Sequence, residues 1–427
     1  VFPDDAGFCP ADGSALQFAS LVPVASTDDA RLGTKLCDRY EIRRVVADGG
    51  MGRVYEGIDK QTQTRIALKV LHEDVAKDEV SLERFKREYE VSASLPHDHI
   101  VKVLDFQRDP ASNVWLLVME FLDGEELRFV LKRDEVLAPE RLIRMLSQVA
   151  IGLDEAHARQ MVHRDLKPDN LFLCGTRQGD VVKILDFGSV KDKNKDAKKL
   201  TVLGTTIGSP YYMAPEQAQG LETLDARADV FALAAITYEC LTGTVPFTGN
   251  NGPSILLSIL TKDPDPPSAK AGKHPIPSSM DDVMEVALAK NPNIRTKSVG
   301  DLANAVGRAY GLDGDHRAWA KTPQGELQAL VAAGAARASA RAIEAAADPF
   351  AAPGAHPMRS SGTSPMERPA PVRPAAQPVL PAPPHEVPID ARAIPGLGGG
   401  RPAWLAPLIV GIVALLVGGG IVLLLAR

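Results

Sequence analysis

"HRDLKPDN", residues 163–170, decides how this chain is read, together with "DFG", residues 186–188, which closes the apolar run "VVKIL". Asp165 is a carboxylate able to accept a hydroxyl proton, Asn170 is an oxygen ligand five residues on, and Asp186 is a second carboxylate suited to Mg²⁺. Phosphoryl transfer asks for that set. The reaction is mostly positioning and charge neutralisation, so it needs a metal, a lysine on the phosphates and a base near the acceptor oxygen. Asp165 alone would pass for a loop-capping aspartate, but the eight-residue phrase with DFG downstream does not.

The lysine is found upstream, in "IALKVL". On a strand Ala67, Lys69 and Leu71 share a face, and a lysine among small and apolar neighbours requires an anionic partner. On the helix expected to follow, Phe85, Glu88, Ser92 and Leu95 step by three, four and three, which places Glu88 on the inward stripe rather than among Arg84, Lys86 and Arg87. Taken alone, such a pair is an ordinary structural salt bridge. Beside the two downstream phrases it reads as part of the site.

Further upstream, "VVADGGMGRVYEG", residues 45–57, has the look of a loop that holds phosphates, although Ala47 stands where glycine usually opens such a loop. Strand pattern resumes at "GRVYEGID", whereas a dinucleotide-binding loop would open a helix in a strand-helix-strand unit, so a nicotinamide-type oxidoreductase is excluded.

"YEIRRVVADGG", "GRVYEGID" and "TRIALKVL" predict three successive strands, followed by a helix from about Val80 to Leu95 and a further strand at "NVWLLVMEF". "RLIRMLSQVAIGLDEAH" then places Leu142, Leu146, Val149 and Leu153 at helical spacing, and helical signal dominates to about Leu312. A strand-rich part followed by a helix-rich part predicts two lobes with a cleft between them, joined at "EFLDG".

Residues 40–312 resemble a protein kinase domain, closest in wording to the bacterial eukaryotic-like Ser/Thr kinases. The resemblance implies an α+β fold of two lobes: an antiparallel β-sheet with one helix, then a mostly α-helical lobe. It implies Asp165 as catalytic base and Lys167, in the "DLKP" typical of Ser/Thr kinases, steadying the transferred group. Lys69, paired with Glu88, would meet the α- and β-phosphates of ATP, and Asn170 and Asp186 would bind Mg²⁺, with Mn²⁺ as a substitute. Val46, Ala47, Asp48, Gly49, Gly50, Met51, Gly52 and Arg53 would cover the phosphates, Val54 and Ala67 would pack on adenine, and Glu120 and Leu122, after a gatekeeper Met119, would offer it backbone hydrogen bonds.

Downstream, "SPYYMAPE" resembles the close of an activation segment, with Arg295 the arginine that pairs with Glu216, and Asp229 the aspartate that ties the catalytic loop to the helical lobe. Ser209 stands where the family often has threonine, and Thr201, Thr205 and Thr206 are candidates for activating phosphorylation beside Arg164. The expected activity is transfer of the γ-phosphoryl group of ATP to protein Ser and Thr hydroxyls, including the chain's own, through a transient homodimer. The rival is a pseudokinase scaffold without turnover, whose one motive is Ala47.

Outside the catalytic region, residues 1–39 form a lead-in in which Cys9, in "FCPADG", resembles half of a zinc ribbon. The four cysteines have no paired spacing, so no structural disulfide is expected, and the net charge of −6 argues against a nucleic-acid partner. Residues 313–348 are alanine-rich and helical in pattern, and 349–402 are a Pro-rich tether that cannot bury enough apolar surface to fold. The uncharged run 403–426 has the length of a membrane-spanning helix. With no signal peptide ahead of the folded part, the expected location is the cell membrane, single-pass, with the kinase domain cytoplasmic.

Overall fold

The computed structural model describes residues 29–187 and 210–347, apart from 222 and 271. The first lobe is a six-stranded sheet of β1 (Lys35–Leu36), β2 (Tyr40–Asp48), β3 (Gly52–Asp59), β4 (Thr64–Leu71), β5 (Val103–Arg108) and β6 (Trp115–Glu120), in the order β1-β2-β3-β4-β6-β5. Each of the pairings is antiparallel. Alternation sets the faces: Tyr40, Ile42, Tyr55, Ile66, Leu68 and Val118 close one core, while Leu71, Val103 and Leu117 pack with Phe85 of α1 (Glu79–Ser94). Asp78 caps α1, its carboxylate accepting the Ser81 amide at 3.0 Å.

The second lobe is helical. It comprises α2 (Leu127–Asp134), α3 (Pro139–Ala158), α4 (Pro215–Ala218), α5 (Arg227–Thr242), α6 (Gly252–Thr261), α7 (Ser279–Ala287), α8 (Val299–Ala309), α9 (His316–Trp319) and α10 (Gln324–Ala347). A small sheet, β7 (Glu125–Glu126), β8 (Leu171–Thr176) and β9 (Gly179–Ile184), lies on the cleft side of α3 in sequence order. Every residue of α5 from Ala228 to Leu241 is buried, so this helix is apolar almost all round and serves as the axis of the lobe's core.

Helices α9 and α10 extend this core. Trp319 fills the notch at Gly307, where a methyl would lie 2.2 Å from the indole ring, and α10 buries Leu327 and crosses the end of α8 at Gly334. A methyl on Gly334 would lie 2.4 Å from Tyr310 O, so the two backbones touch.

The expectation of a membrane-spanning helix is corrected here. Among the described residues no helix is long and apolar enough to cross a membrane. The longest, α10, carries Glu326 and exposed Arg337 and lays its apolar side on α3. The run 403–426 lies outside the described residues, as do the lead-in with Cys9 and the Pro-rich stretch. The membrane anchor, the membrane as partner and the cell-membrane location are therefore withdrawn, and the described residues form the two-lobed α+β arrangement with no membrane-spanning helix among them.

Candidate active site

Strand β4 sets Lys69 opposite Val54 on one side and Leu117 on the other, and α1 brings Glu88 beneath it. Lys69 Nζ donates to Glu88 Oε1 at 3.1 Å and Oε2 at 3.0 Å, and to Asp186 Oδ1 at 3.2 Å. Two carboxylates thus share one ammonium in a setting where burial disfavours every charge. Burial works against the Lys69 charge, but Asp186 and Glu88 outweigh it and hold its pKa above the usual lysine range. Burial also raises the Asp186 carboxyl, yet Lys69 prevails and holds it below the usual aspartate range, whereas burial pushes the Glu88 carboxyl above its usual range. Asp186 is the half-exposed member, at φ +58°, and it faces the cleft with its charge intact.

The catalytic-loop candidates are fixed from below by Asp229, which is fully buried on α5. Its Oδ2 accepts the His163 amide at 2.8 Å and a bond from His157 Nε2 at 2.8 Å, and its Oδ1 accepts the Arg164 amide at 2.9 Å. Arg164 is held at φ +67°, a strained conformation for a long side chain. Asp165 then emerges half-exposed, with Lys167 Nζ 3.1 Å from its Oδ2. Asn170 Nδ2 donates to Asp165 O at 2.7 Å, which leaves the amide oxygen for another partner.

Two bonds stitch this loop to the residue before Asp186. Leu185 N donates to Asn170 O at 2.9 Å, and His163 Nε2 donates to Leu185 O at 2.8 Å. The His163 ring also meets Phe187 edge-on, with centroids 4.8 Å apart. The sequence reading named neither contact; His163 and Phe187 sit inside the two quoted phrases, but nothing in their spacing says that they touch.

The glycine loop is the hairpin between β2 and β3. Ala47 is buried opposite Val54 beside a bulge, and Asp48 pairs with Arg53, which also reaches Asp29 at 2.7 Å. Gly49 N donates to Gly52 O at 3.1 Å, while His72 holds the tip through its amide to Met51 O and its Nε2 to Gly49 O at 3.0 Å. Gly52 is needed for a reason that phosphate binding does not supply: a methyl there would lie 2.3 Å from Val70 O of β4. Val46, Gly50 and Met51 complete the hairpin.

At the cleft's rear, Ala67 pairs with Met119 and Ile66 with Glu120. Glu120 Oε1 accepts from Lys183 Nζ at 2.6 Å and from the Lys102 amide at 2.8 Å, which turns that oxygen away from a ligand and leaves the backbone of Glu120 and half-buried Leu122 beside the cleft.

Farther along, Arg295 forks onto Glu216, Nη1 to Oε1 at 2.7 Å and Nη2 to Oε2 at 2.9 Å, with the guanidinium fully buried. Thr201, Thr205, Thr206 and Ser209 lie outside the described residues. Sequence reasoning missed Arg128, whose guanidinium reaches Glu239 at 2.9 Å, the Tyr212 hydroxyl at 2.5 Å and Asp169 at 3.4 Å. It also missed Glu126, whose carboxyl burial pushes up to about 8, with Asp169 and Asp186 adding to the rise. These partners lie up to 111 residues apart, and no local pattern announces them.

Two lobes, a lysine–carboxylate pair under the sheet and an aspartate loop stitched to a second aspartate define a nucleotide-dependent phosphotransferase site. The chain belongs to the protein kinase domain family, which matches residues 40–304. Serine/threonine-protein kinase PknA of Mycobacterium tuberculosis is 37% identical over 279 residues, covering 65% of this chain and 62% of PknA. Serine/threonine-protein kinase pkn3 of Myxococcus xanthus is 34% identical over 273 residues, covering 63% of this chain and 50% of pkn3. The chain thus spans less than two thirds of the length of these curated relatives. The crystal structure of the M. tuberculosis PknI kinase domain superposes with a TM-score of 0.51 at 29% identity, covering 66% of this chain and 98% of that domain.

Proposed function

We propose that this chain is a serine/threonine protein kinase that transfers the γ-phosphoryl group of ATP to hydroxyls of protein substrates. The observation that carries the reading is the convergence of Lys69, Glu88 and Asp186 at one point, with the Asp165 loop stitched to the residue before Asp186. Asp165, half-exposed at the cleft, takes the proton of the acceptor hydroxyl. Lys167 stays protonated, because Asp165 and Asp169 outweigh the burial that opposes its charge, and it balances negative charge on the group in transit. Lys69, oriented by Glu88, meets the α- and β-phosphates, and the β2–β3 hairpin from Val46 to Val54 folds over them. Adenine packs between Val54 and Ala67, with backbone groups of Glu120 and Leu122 for its edge.

The residues present fit a magnesium ion. Asp186 is half-exposed at the cleft with Lys69 holding it ionised, and Asn170 has its NH₂ committed to Asp165 O, so a carboxylate and an amide oxygen are available to a hard cation. Bound there, magnesium or manganese would neutralise charge on the phosphates. No observation favours a pseudokinase.

Arg164 Nε is buried and has no hydrogen-bond partner among the described residues. A phosphate on Thr201, Thr205 or Thr206 would answer that charge, and transfer between neighbouring copies would supply it. The test of the whole reading is transfer of labelled phosphate from ATP to a generic protein acceptor. Asp165→Asn is expected to lower it at least about 10³-fold while ATP still binds, and equal labelling by both proteins would overturn the assignment. Mass spectrometry of ATP-treated protein should find phosphate between Asp186 and Glu216.

A further inference from the structure

A second concave site lies away from the ATP cleft, on the flank where α10 begins. It is an open depression of about 450 Å³ between the turn at Asp98 and His99, α3 at Arg144 and Gln148, β9 at Val181 and Lys183, and the α9–α10 junction at Lys321. Arg144 is its unusual element. It is 5% exposed, donates Nε to Asp180 O at 3.2 Å and Nη1 to Thr322 O, and has no carboxylate partner among the described residues. The nearby Asp180 carboxylate favours the Arg144 charge but is itself bonded to Arg141, so a buried guanidinium held directly only by carbonyl oxygens still has a place for an anion.

The rest of the lining points the same way. Lys321 is exposed at the rim, and Lys183, though paired with Glu120, adds a second ammonium on the wall, against the single carboxylate of Asp98. Planar guanidinium donors match carboxylate or phosphate in a forked geometry, and the volume suits a small metabolite rather than a chain.

We propose that this cleft is a binding site for a small anion bearing a phosphate or carboxylate group, which sits on Arg144 with Lys321 closing over it. The site exists only because residues 320–324 fold back onto the catalytic lobe: Gln324 N donates to Gln178 O at 2.9 Å, and Thr322 O is itself an Arg144 partner. The ligand lies on the wall that carries Lys183, so it competes with Glu120 for that ammonium. Glu120 also accepts the Lys102 amide, and occupancy therefore reaches the segment joining the lobes.

The experiment is calorimetric titration of the full chain with inorganic phosphate and, separately, succinate, with the ATP cleft filled by a non-hydrolysable ATP analogue. At least one probe is expected to bind, and Lys321→Glu, at an exposed rim position that leaves the fold alone, is expected to weaken it at least about tenfold. Arg144→Met, checked for folding by its thermal melt, should abolish it. Phosphate without succinate identifies the phosphate chemistry, and succinate without phosphate the carboxylate chemistry. Binding of neither probe, or binding that Lys321→Glu leaves unchanged, overturns the proposal.

Discussion

Asp229 Oδ1 accepts the backbone amide of Arg164 at 2.9 Å, and Arg164 is held at φ +67° at that point. A left-handed arginine costs on the order of 1–3 kcal/mol, and it persists because one buried carboxylate fixes two successive amides. Asp229→Ala is expected to cost about 3 kcal/mol in urea denaturation and to lower kcat at least about tenfold, since the turn that presents Asp165 relaxes. Burial raises the Asp229 carboxyl, but His157 and the loop amides outweigh it and leave it below the usual aspartate value. Its contribution to stability is therefore present above the unfolded-state pKa near 3.8 and is lost as pH falls through the folded value, so acid unfolding should be shallower in the variant.

Arg295 and Glu216 form a forked pair away from water. Removing one partner leaves the other charge buried, so Arg295→Met should cost about 3–5 kcal/mol. The double variant Arg295→Met with Glu216→Gln should recover part of that loss, which equilibrium denaturation of the four proteins will show.

Ala47 and Gly52 behave oppositely. Ala47 already fits its buried place in β2, so Ala47→Gly should change ATP affinity by less than about tenfold, read by titration. Gly52→Ala would drive a methyl to 2.3 Å from Val70 O and part β3 from β4. It should lower Tm by several degrees before any effect on nucleotide is considered.

Lys290 offers a pH test. Its ammonium lies 3.6 Å from the centre of the Phe247 ring, near Phe231, with Arg295 disfavouring its charge and Asp263 favouring it. Burial is the largest effect and brings its pKa down from 10.5 to about 8. Between those values the unfolded chain holds the proton and the folded chain does not, so this group makes stability rise with pH across that window. The difference in Tm between the natural protein and Lys290→Met should therefore climb from pH 8 to pH 10; a flat difference would show that the lysine keeps its charge when folded.

Strand alternation and the helical stripe were enough to pair Lys69 with Glu88, because both periods are short and each places its charge among small or apolar neighbours on the inward face. The resemblance named Asp165, Asn170 and Asp186 as candidates, and it named the Arg295–Glu216 pair whose two bonds are seen. What could not be read were contacts between residues brought together by packing, within the large lobe for Arg128 with Tyr212 and Glu239, and between the lobes for Lys183 with Glu120. Alanine-rich composition predicted a helix after Leu312. It held no sign that the helix docks, because the docking depends on two glycines, Gly311 and Gly334, whose missing side chains let the backbones meet, and a missing side chain leaves no pattern to read.

That crossing bears on where the chain can be cut. The family match stops at residue 304, inside α8, while Gly307 receives Trp319 and Leu312 is buried just beyond. A recombinant fragment trimmed to the match would end mid-helix and lose Gly307 together with the Trp319 indole that packs into it. One ending after 347 keeps that surface covered and preserves both ends of the Gly311–Gly334 contact, and is the better starting material for crystals or inhibitor screening.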